Sequence, residues 1–398
     1  MKRGKIGNDK SLETMVNEHR DTELVESKDS GEKSCSDPLI LERRTDLNEI
    51  LFGSRVLHSE KVLVIGGGGY LGSTLTAKLL SKGYMVSVYD RFIYGKNSLK
   101  EIEGNEALRV FEGDIRDLEL LEAVMKGHDI VVNLAAIVGD EACMVDPDTT
   151  WEINTESIGR IAAMAKRHHV KKMIQASTCS NYGQNGSDIV NEEAPLRPLS
   201  LYAKSKVEGE KILLSELSDG PGPKPIVLRF STLFGYSRRP RFDLVVNTMA
   251  AHAWKYGKIK VRGGSQWRPL LHVSDAAEAI ISAIEKENGG KKIFNVGANH
   301  LNKTILELGK TIQSVIPGID MEIVQEAVDK RNYRVDFSRI KETFEFEPEY
   351  SIETGVLEII FALDSSGMMD PENEIYSNFK WLSGNSEMIF QRNTQVTT

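Results

Sequence analysis

Apolar runs of strand length recur along the chain from Lys61 onwards, and stretches with helical spacing separate most of them. The runs cover residues 61–66, 85–90, 108–114, 129–136, 171–177 and 225–230. A helical pattern follows the first run over residues 73–81. Parallel strands need a connection that crosses outside their sheet, so this alternation predicts an α/β fold with a doubly wound parallel sheet.

The pattern also divides the chain into regions. Residues 1–36 are polar and mixed in charge, which predicts a disordered tail. Residues 37–60 carry apolar positions at partly helical spacing, which predicts an amphipathic brace. The strand and helix alternation defines a domain over residues 61–235. After residue 235 the alternation of strand and helix patterns becomes irregular. Residues 236–365 are therefore predicted to form mainly a smaller mixed α/β lobe, and residues 366–398 are predicted to form a C-terminal extension.

The composition argues against several classes of protein. Asp and Glu outnumber Lys and Arg by 58 to 50, for a net charge of −8. A negative protein does not attract nucleic acid through its overall charge, so this composition argues against a nucleic-acid-binding protein. The three cysteines form no CxxC pair, and the sequence contains no recognisable metal motif. We therefore expect no metal and a reducing, cytoplasmic location. The longest apolar stretch, residues 130–138, is too short for a membrane helix.

A glycine-rich turn stands between the first strand run and the first helix. Gly66, Gly69 and Gly72 in GGGGYLG have the spacing GxxGxxG. Such glycines permit a tight turn and the close approach of a pyrophosphate to the N-terminus of the helix, although a purely structural turn has the same appearance. The next strand run ends in Asp90, whose carboxylate would accept hydrogen bonds from an adenosine ribose. Together these features predict a dinucleotide site.

Three residues bear on how a dinucleotide would be recognised. Asp90 would repel a 2′-phosphate and so favours NAD over NADP, whereas the adjacent Arg91 could pair with that phosphate. Asp114 ends the third strand run and is a candidate to bind the adenine amino group; the alternative is a helix N-cap.

Tyr202 and Lys206 form a YxxxK pair on a predicted helix. Residues four apart lie on one helix face, so the ammonium would lower the pKa of the phenol and let Tyr202 exchange a proton with a substrate hydroxyl. Thr178 follows the run at 171–177 and could hydrogen-bond the same oxygen; the alternative is a bond to backbone at the strand end. Arg239 and Arg241 form a charged cluster of the kind typical of solvated surface.

The motifs as a set resemble a known family. In chain order they are GGGGYLG, Asp90, GDI, NLAA, STCSNYG, YAKSK, LRFSTLFG, WRPLLHVSD and RNYRVD. From about Lys61 to Tyr350 this order resembles the extended short-chain dehydrogenases/reductases, which include the sugar-nucleotide epimerases and dehydratases. The resemblance implies a Rossmann domain that binds NAD(P), a C-terminal lobe that grips a nucleoside-diphosphate sugar, and a homodimer.

The resemblance also implies which residues form the site. It makes Thr178, Tyr202 and Lys206 the catalytic triad. The predicted cofactor residues, including Tyr202 and Lys206 again, are Gly66, Gly69, Tyr70, Leu71, Gly72, Asp90, Arg91, Asp114, Ile115, Leu134, Ala135, Ala136 and Asn154. The predicted substrate residues are Cys179, Ser180, Asn181, Thr232, Arg268 and Arg331. For Cys179 the alternative, which we favour, is a buried and inert cysteine.

One departure from the family pattern bears on the reaction. In the family's 4,6-dehydratases an Asp-Glu pair follows the catalytic threonine, whereas Cys179 and Ser180 follow Thr178 here. Transient oxidation at sugar C4 and return of the hydride need no such acid and base. The sequence therefore predicts an NAD-dependent nucleotide-sugar epimerase. The alternatives are an NAD(P)H-dependent ketoreductase or a dehydratase, and a non-catalytic dinucleotide-binding protein.

Overall fold

The computed structural model describes residues 58–218, 221–325, 329–366 and 369–391. The predicted tail and all but the last residues of the predicted brace lie outside the described residues. A sheet of seven parallel strands, in the order β11-β7-β5-β4-β1-β2-β3, forms the centre of the molecule. These strands are β1 (Lys61–Ile65), β2 (Met85–Asp90), β3 (Leu108–Glu112), β4 (Ile130–Asn133), β5 (Lys172–Thr178), β7 (Lys224–Phe230) and β11 (Ile293–Val296).

Helices cover both faces of this sheet, and two hydrophobic cores lie between the layers. Along β1, Val62 and Val64 face one core while Leu63 and Ile65 face the other, which explains why the strand reads as a continuous apolar run. The predicted α/β doubly wound sheet is therefore confirmed. The first helices are α1 (Tyr70–Ser81), α2 (Leu118–Met125), α3 (Asp140–Cys143), α4 (Pro147–Trp151), α5 (Ser157–Arg167) and α6 (Leu201–Glu216), with a π-helical turn at Glu152–Glu156.

The smaller lobe is mixed, as predicted. Strand β10 pairs in parallel with β8 and antiparallel with β12, while β9 pairs with β13 and β6 with β14. A third core lies within this lobe. These strands are β6 (Gln184–Val190), β8 (Thr232–Phe234), β9 (Lys258–Arg262), β10 (Trp267–His272), β12 (Asn302–Thr304), β13 (Asp320–Val324) and β14 (Asn332–Val335). The remaining helices are α7 (Val245–Tyr256), α8 (Val273–Glu285), α9 (Ile305–Val315), α10 (Ser338–Phe344), α11 (Ile352–Ser366), α12 (Asn378–Gly384) and α13 (Ser386–Phe390).

Part of the region predicted to form mainly the lobe returns to the central sheet. Helix α8 packs against α1, and β11 then pairs with β7 as the edge strand. Residues 273–296 therefore belong to the central sheet and its helices, although the sequence pattern predicted that this domain ends at residue 235. This stretch is as apolar as the lobe around it, so its pattern carries no sign of which core it joins.

The C-terminal extension packs back on the first domain. Leu382 of α12 and Ile389 of α13 are buried in the same core as Tyr89 and Ile115. The indole Nε1 of Trp381 donates a hydrogen bond of 2.6 Å to the carbonyl oxygen of Ile93. Across the described ranges, no helix combines the length and apolar character needed to cross a membrane.

Candidate active site

A cleft of about 820 Å³ opens at the carboxyl ends of the parallel strands. Strand β1 lies between β2 and β4, so the strand order reverses at β1, and such a switch point is where doubly wound sheets bind ligands. Nearly all of the predicted cofactor residues line this cleft: Gly66, Gly69, Tyr70, Leu71, Gly72, Asp90, Arg91, Asp114, Ile115, Leu134, Ala135, Ala136, Tyr202 and Lys206.

The glycine-rich turn keeps space open at the start of α1. Gly66 has a φ of +84°, and a Cβ there would lie 2.6 Å from the backbone nitrogen of Ala135. A Cβ on Gly72 would collide with the Gly66 carbonyl oxygen. The turn can therefore be built only from glycine at these two positions. The open space borders the N-terminus of a 12-residue helix, so it fits the pyrophosphate of a dinucleotide.

Asp90 joins the end of β2 to this turn. Its two carboxylate oxygens accept hydrogen bonds from the backbone N–H groups of Gly68, at 2.8 Å, and Phe92, at 2.7 Å. Burial raises the pKa of Asp90, and these two hydrogen bonds oppose the shift. Each oxygen retains a further lone pair for a ribose hydroxyl, so the carboxylate fits its predicted role.

Asp114 is bound by two arginines. Arg116 donates to both of its carboxylate oxygens, at 2.9 and 2.7 Å, and Nη1 of Arg91 lies 3.0 Å from Oδ2. Burial alone would raise the pKa of Asp114, but the hydrogen bonds and charges of the arginines lower it below its usual value. The sequence did not predict this cluster, because Arg91 lies 23 positions before Asp114 and approaches it only in the folded chain.

The three predicted catalytic residues share the cleft with the glycine-rich turn. Thr178 is the last residue of β5, while Tyr202 and Lys206 lie one turn apart on α6. The side chain of Thr178 hydrogen-bonds that of Tyr202. Nζ of Lys206 donates a bond of 3.1 Å to the carbonyl oxygen of Ala176. Strand β5 thus orients both polar groups of α6.

The electrostatics of this trio differ from the expectation. Burial raises the pKa of Tyr202 well above its usual range, and Arg241 and the hydrogen bond with Thr178 only partly oppose it. The expected lowering of the phenol's pKa by Lys206 is therefore not what these surroundings produce. Burial also lowers the pKa of Lys206 to about 8, so the amine itself titrates near neutral pH.

Two predicted substrate residues lie outside the cleft. Cys179 is fully buried, its thiol contacts the carbonyl oxygen of Arg229 at 3.1 Å, and burial raises its pKa. Asn181 is also fully buried and donates to Oε1 of Glu210 at 2.9 Å. Neither side chain lines the cleft, and for Cys179 this agrees with the alternative of a buried, inert cysteine. They follow Thr178 in a single 3₁₀ turn, which directs only some of its side chains toward the cleft.

Asn154 likewise does not line the cleft. Its Oδ1 accepts a bond of 2.8 Å from the backbone nitrogen of Ile137, and its Nδ2 donates one of 2.9 Å to the carbonyl oxygen of the same residue. The predicted cofactor contact is thus a brace for the loop after β4. That loop carries Ala135 and Ala136, so Asn154 affects the cleft indirectly, by fixing the loop that lines it.

The other predicted substrate residues, Ser180, Thr232, Arg268 and Arg331, do line the cleft. Both arginines pair with Asp329: Nη2 of Arg268 lies 2.7 Å from its Oδ2 and Nη2 of Arg331 lies 2.5 Å from it. Burial alone would raise the pKa of Asp329, but the hydrogen bonds and charges of the two arginines lower it below its usual value. Guanidinium groups converge at this end of the cleft, where an anionic ligand would be attracted.

Sequence reasoning missed several residues at the cleft. Asp140 lies 3.2 Å from Nη1 of Arg331 and so connects the two lobes. Its Oδ1 is buried and has no hydrogen-bond partner within the described structure. Arg239 and Arg241, expected on solvated surface, are instead buried and line the cleft. The one signal for Asp140 was its position six residues beyond Leu134, on the loop that leaves β4.

Comparison with known proteins identifies the family. A sequence model of the NAD dependent epimerase/dehydratase family matches residues 62–297. The chain belongs to this family. The family's description names NAD, and a related dehydratase has been solved in complex with it, so the present chain is an NAD-dependent enzyme. The matched range contains the glycine-rich turn, Asp90, the catalytic trio and β11, so membership rests on the whole central sheet.

Relatives within the family differ in their reactions. The chain is 28% identical to a UDP-N-acetyl-alpha-D-glucosaminuronate decarboxylase of Bacillus cytotoxicus, over 76% of this chain and 97% of the relative. It is 27% identical to a putative UDP-glucose 4-epimerase of Methanocaldococcus jannaschii, over 75% and 97%. The structure of dTDP-glucose 4,6-dehydratase from Bacillus anthracis in complex with NAD is similar with a TM-score of 0.67 and 26% identity, covering 81% of this chain and 100% of that one.

Among the residues that the structure describes, no group of three or more His, Cys, Asp or Glu side chains could hold a metal ion.

Proposed function

We propose that this family member is an NAD-dependent 4-epimerase of nucleoside-diphosphate sugars. One observation carries the proposal: Thr178, Tyr202 and Lys206 line the same cleft as the glycine-rich turn, and the residues after Thr178 supply no acid–base pair. Cys179 is buried away from the cleft and Ser180 is a weak acid, so the agents that expel water in the family's 4,6-dehydratases are missing at these positions.

The proposed reaction uses the phenolate of Tyr202, which the ammonium of Lys206 and the cationic nicotinamide of bound NAD would have to stabilise against burial. The phenolate accepts the proton of the sugar's C4 hydroxyl, and Thr178 holds the same oxygen. NAD, which the glycine-rich turn and Asp90 would hold, would supply the hydride acceptor and donor that oxidation and re-reduction at C4 require. Tyr202 then gives its proton back to the C4 oxygen, so atoms and electrons balance within one turnover. Lys206, one helical turn away, places a titrating amine beside the proton path.

The substrate's diphosphate would bind at the arginine end of the cleft. Arg268 and Arg331, two of the predicted substrate residues, line it, and their guanidinium groups suit diphosphate oxygens. In the structure both pair with Asp329, so the diphosphate would compete with that carboxylate for the same guanidinium groups. The name of the M. jannaschii relative suggests a UDP-sugar as the first substrate to test.

Tyr202→Phe tests the proposal. Wild-type protein incubated with UDP-glucose should form its C4 epimer, and Tyr202→Phe should lose at least a hundredfold in kcat while it retains NAD. The epimer should carry no carbon-bound deuterium when the reaction runs in D₂O, because the hydride returns to the carbon it left. Carbon-bound deuterium in the product, or a dehydrated or decarboxylated product, would contradict the proposal. Turnover that requires added NADPH would favour the ketoreductase alternative.

Two further expectations belong to this proposal. We propose a homodimer, which light scattering of the eluted protein would test through its mass. We also propose a reducing location such as the cytoplasm. Cys143 and Cys179, the cysteines within the described residues, are free thiols, which agrees with such a compartment.

A further inference from the structure

The C-terminal extension contributes directly to the adenosine end of the cofactor cleft. Ser377, Asn378, Phe379, Ile389 and Phe390 line the cleft together with the glycine-rich turn and Asp90. Helices α12 and α13 thus form a wall of the site and not only an appendage to it. Ile389 is almost completely buried there, against the core that contains Ile115.

Arg91 is bound to the backbone of this wall. Its Nη1 donates to the carbonyl oxygen of Ile389, and its Nη2 donates to those of Gln391, at 2.8 Å, and Met388, at 3.3 Å. Arg116 donates to the carbonyl oxygen of Phe390 at 3.2 Å. The last carbonyls of a helix have no partner within it, so these two guanidinium groups cap the end of α13.

These contacts occupy the group that would otherwise read a 2′-phosphate. Arg91 follows Asp90 directly, and both of its terminal nitrogens are engaged by α13 and by Asp114. A guanidinium already bound to two sets of acceptors has few donors left for a phosphate. The carboxylate of Asp90 meanwhile remains available on the cleft side.

We propose that α13 and Arg91 together form a determinant of cofactor choice and retention: α13 holds Arg91 away from a 2′-phosphate and closes the adenosine end of the cleft over NAD. The inference goes beyond the proposed sugar chemistry, since it concerns which dinucleotide binds and how long it stays. Binding measurements without turnover can therefore test this inference separately from the proposed function.

The first test removes α13. Protein that ends at Asn385 loses α13 and Ile389, whereas a control that ends at Gln391 loses only residues 392–398. In the Asn385 variant, bound NAD should exchange with labelled NAD about tenfold faster, and the ratio of NADP to NAD affinity should rise about tenfold. The Gln391 control should behave like the full chain. Unchanged exchange and affinity ratio in a folded Asn385 variant would overturn the proposal.

Arg91→Gln identifies the residue responsible. Added to the Asn385 variant, it should abolish the gain in NADP affinity while exchange of NAD stays fast. If the gain persists without Arg91, the proposed role of Arg91 is wrong.

A second measurement keeps the proposal testable if the shortened chain fails to fold. In full-length Arg91→Gln, backbone amides of residues 386–391 should exchange hydrogen for deuterium faster than in the wild type, because one of the two caps of α13 is gone. Amides of α1 should be unaffected. Equal exchange in residues 386–391 would show that Arg91 does not hold α13.

Discussion

At the residue scale, the buried amine of Lys206 carries a cost that can be measured. Burial lowers its pKa from 10.5 to about 8. Below pH 8 the folded protein therefore contains a buried ammonium group that costs free energy, whereas the same group is solvated in the unfolded chain. Lys206→Met should therefore abolish turnover yet raise the free energy of unfolding by about 2 kcal/mol at pH 7, after allowing for the lost bond to Ala176.

The sign of this effect follows from proton binding. Between pH 8 and pH 10.5 the unfolded chain binds more protons at this site than the folded protein, so wild-type stability gains on the variant as pH rises. The advantage of Lys206→Met should fade across that window and vanish above it. Urea unfolding at several pH values would measure this. An advantage that does not change with pH would mean that the amine is not the group responsible.

Asp140 gives a second prediction at the same scale. Among the described residues its buried Oδ1 has no hydrogen-bond partner, while its Oδ2 pairs with Arg331, so the carboxylate can accept a hydrogen bond from the sugar. Asp140→Asn should lower kcat/KM by about tenfold, equivalent to one lost charged hydrogen bond. Bound NAD should not change. Asp148→Asn, at an exposed position on α4, is the control and should retain full activity.

At the element scale, a buried ion pair joins α6 to the sheet. Nη2 of Arg229 on β7 lies 2.6 Å from Oε2 of Glu210, one turn beyond Lys206. Ser177 and Asn181 also donate to this carboxylate, so it connects the helix with the end of β5. Tyr202 lies on the same helix, so we expect this connection to help fix its position relative to Thr178.

Glu210→Gln should destabilise the protein strongly. The substitution leaves Arg229 buried with no opposing charge, which costs about 3–5 kcal/mol. Urea unfolding should show a loss of that size, whereas Glu216→Gln, at an exposed position on the same helix, should change stability little. If the two variants unfold alike, the buried pair does not anchor α6.

At the scale of the whole molecule, the parts predictable from sequence are those fixed by local pattern. The parallel strands, the glycine-rich turn and the YxxxK pair each lie within a short window, and strand ends in a doubly wound sheet converge on one edge. Contacts between distant segments were not predictable. The approach of Arg91 to α13 joins residues about 300 apart, and Asn154 had no local sign that its amide would brace the loop after β4.

The return of β11 to the central sheet has a consequence for synthesis of the chain. Until residues 293–296 have left the ribosome, β7 stays an open edge with unpaired N–H and C=O groups. Every residue of the catalytic trio is synthesised before β11, so the nascent chain contains all three while the central sheet still lacks its edge strand. While residues 231–292 are being made, this edge is therefore open to mispairing with another chain, and a chaperone that covers it would protect the nascent protein.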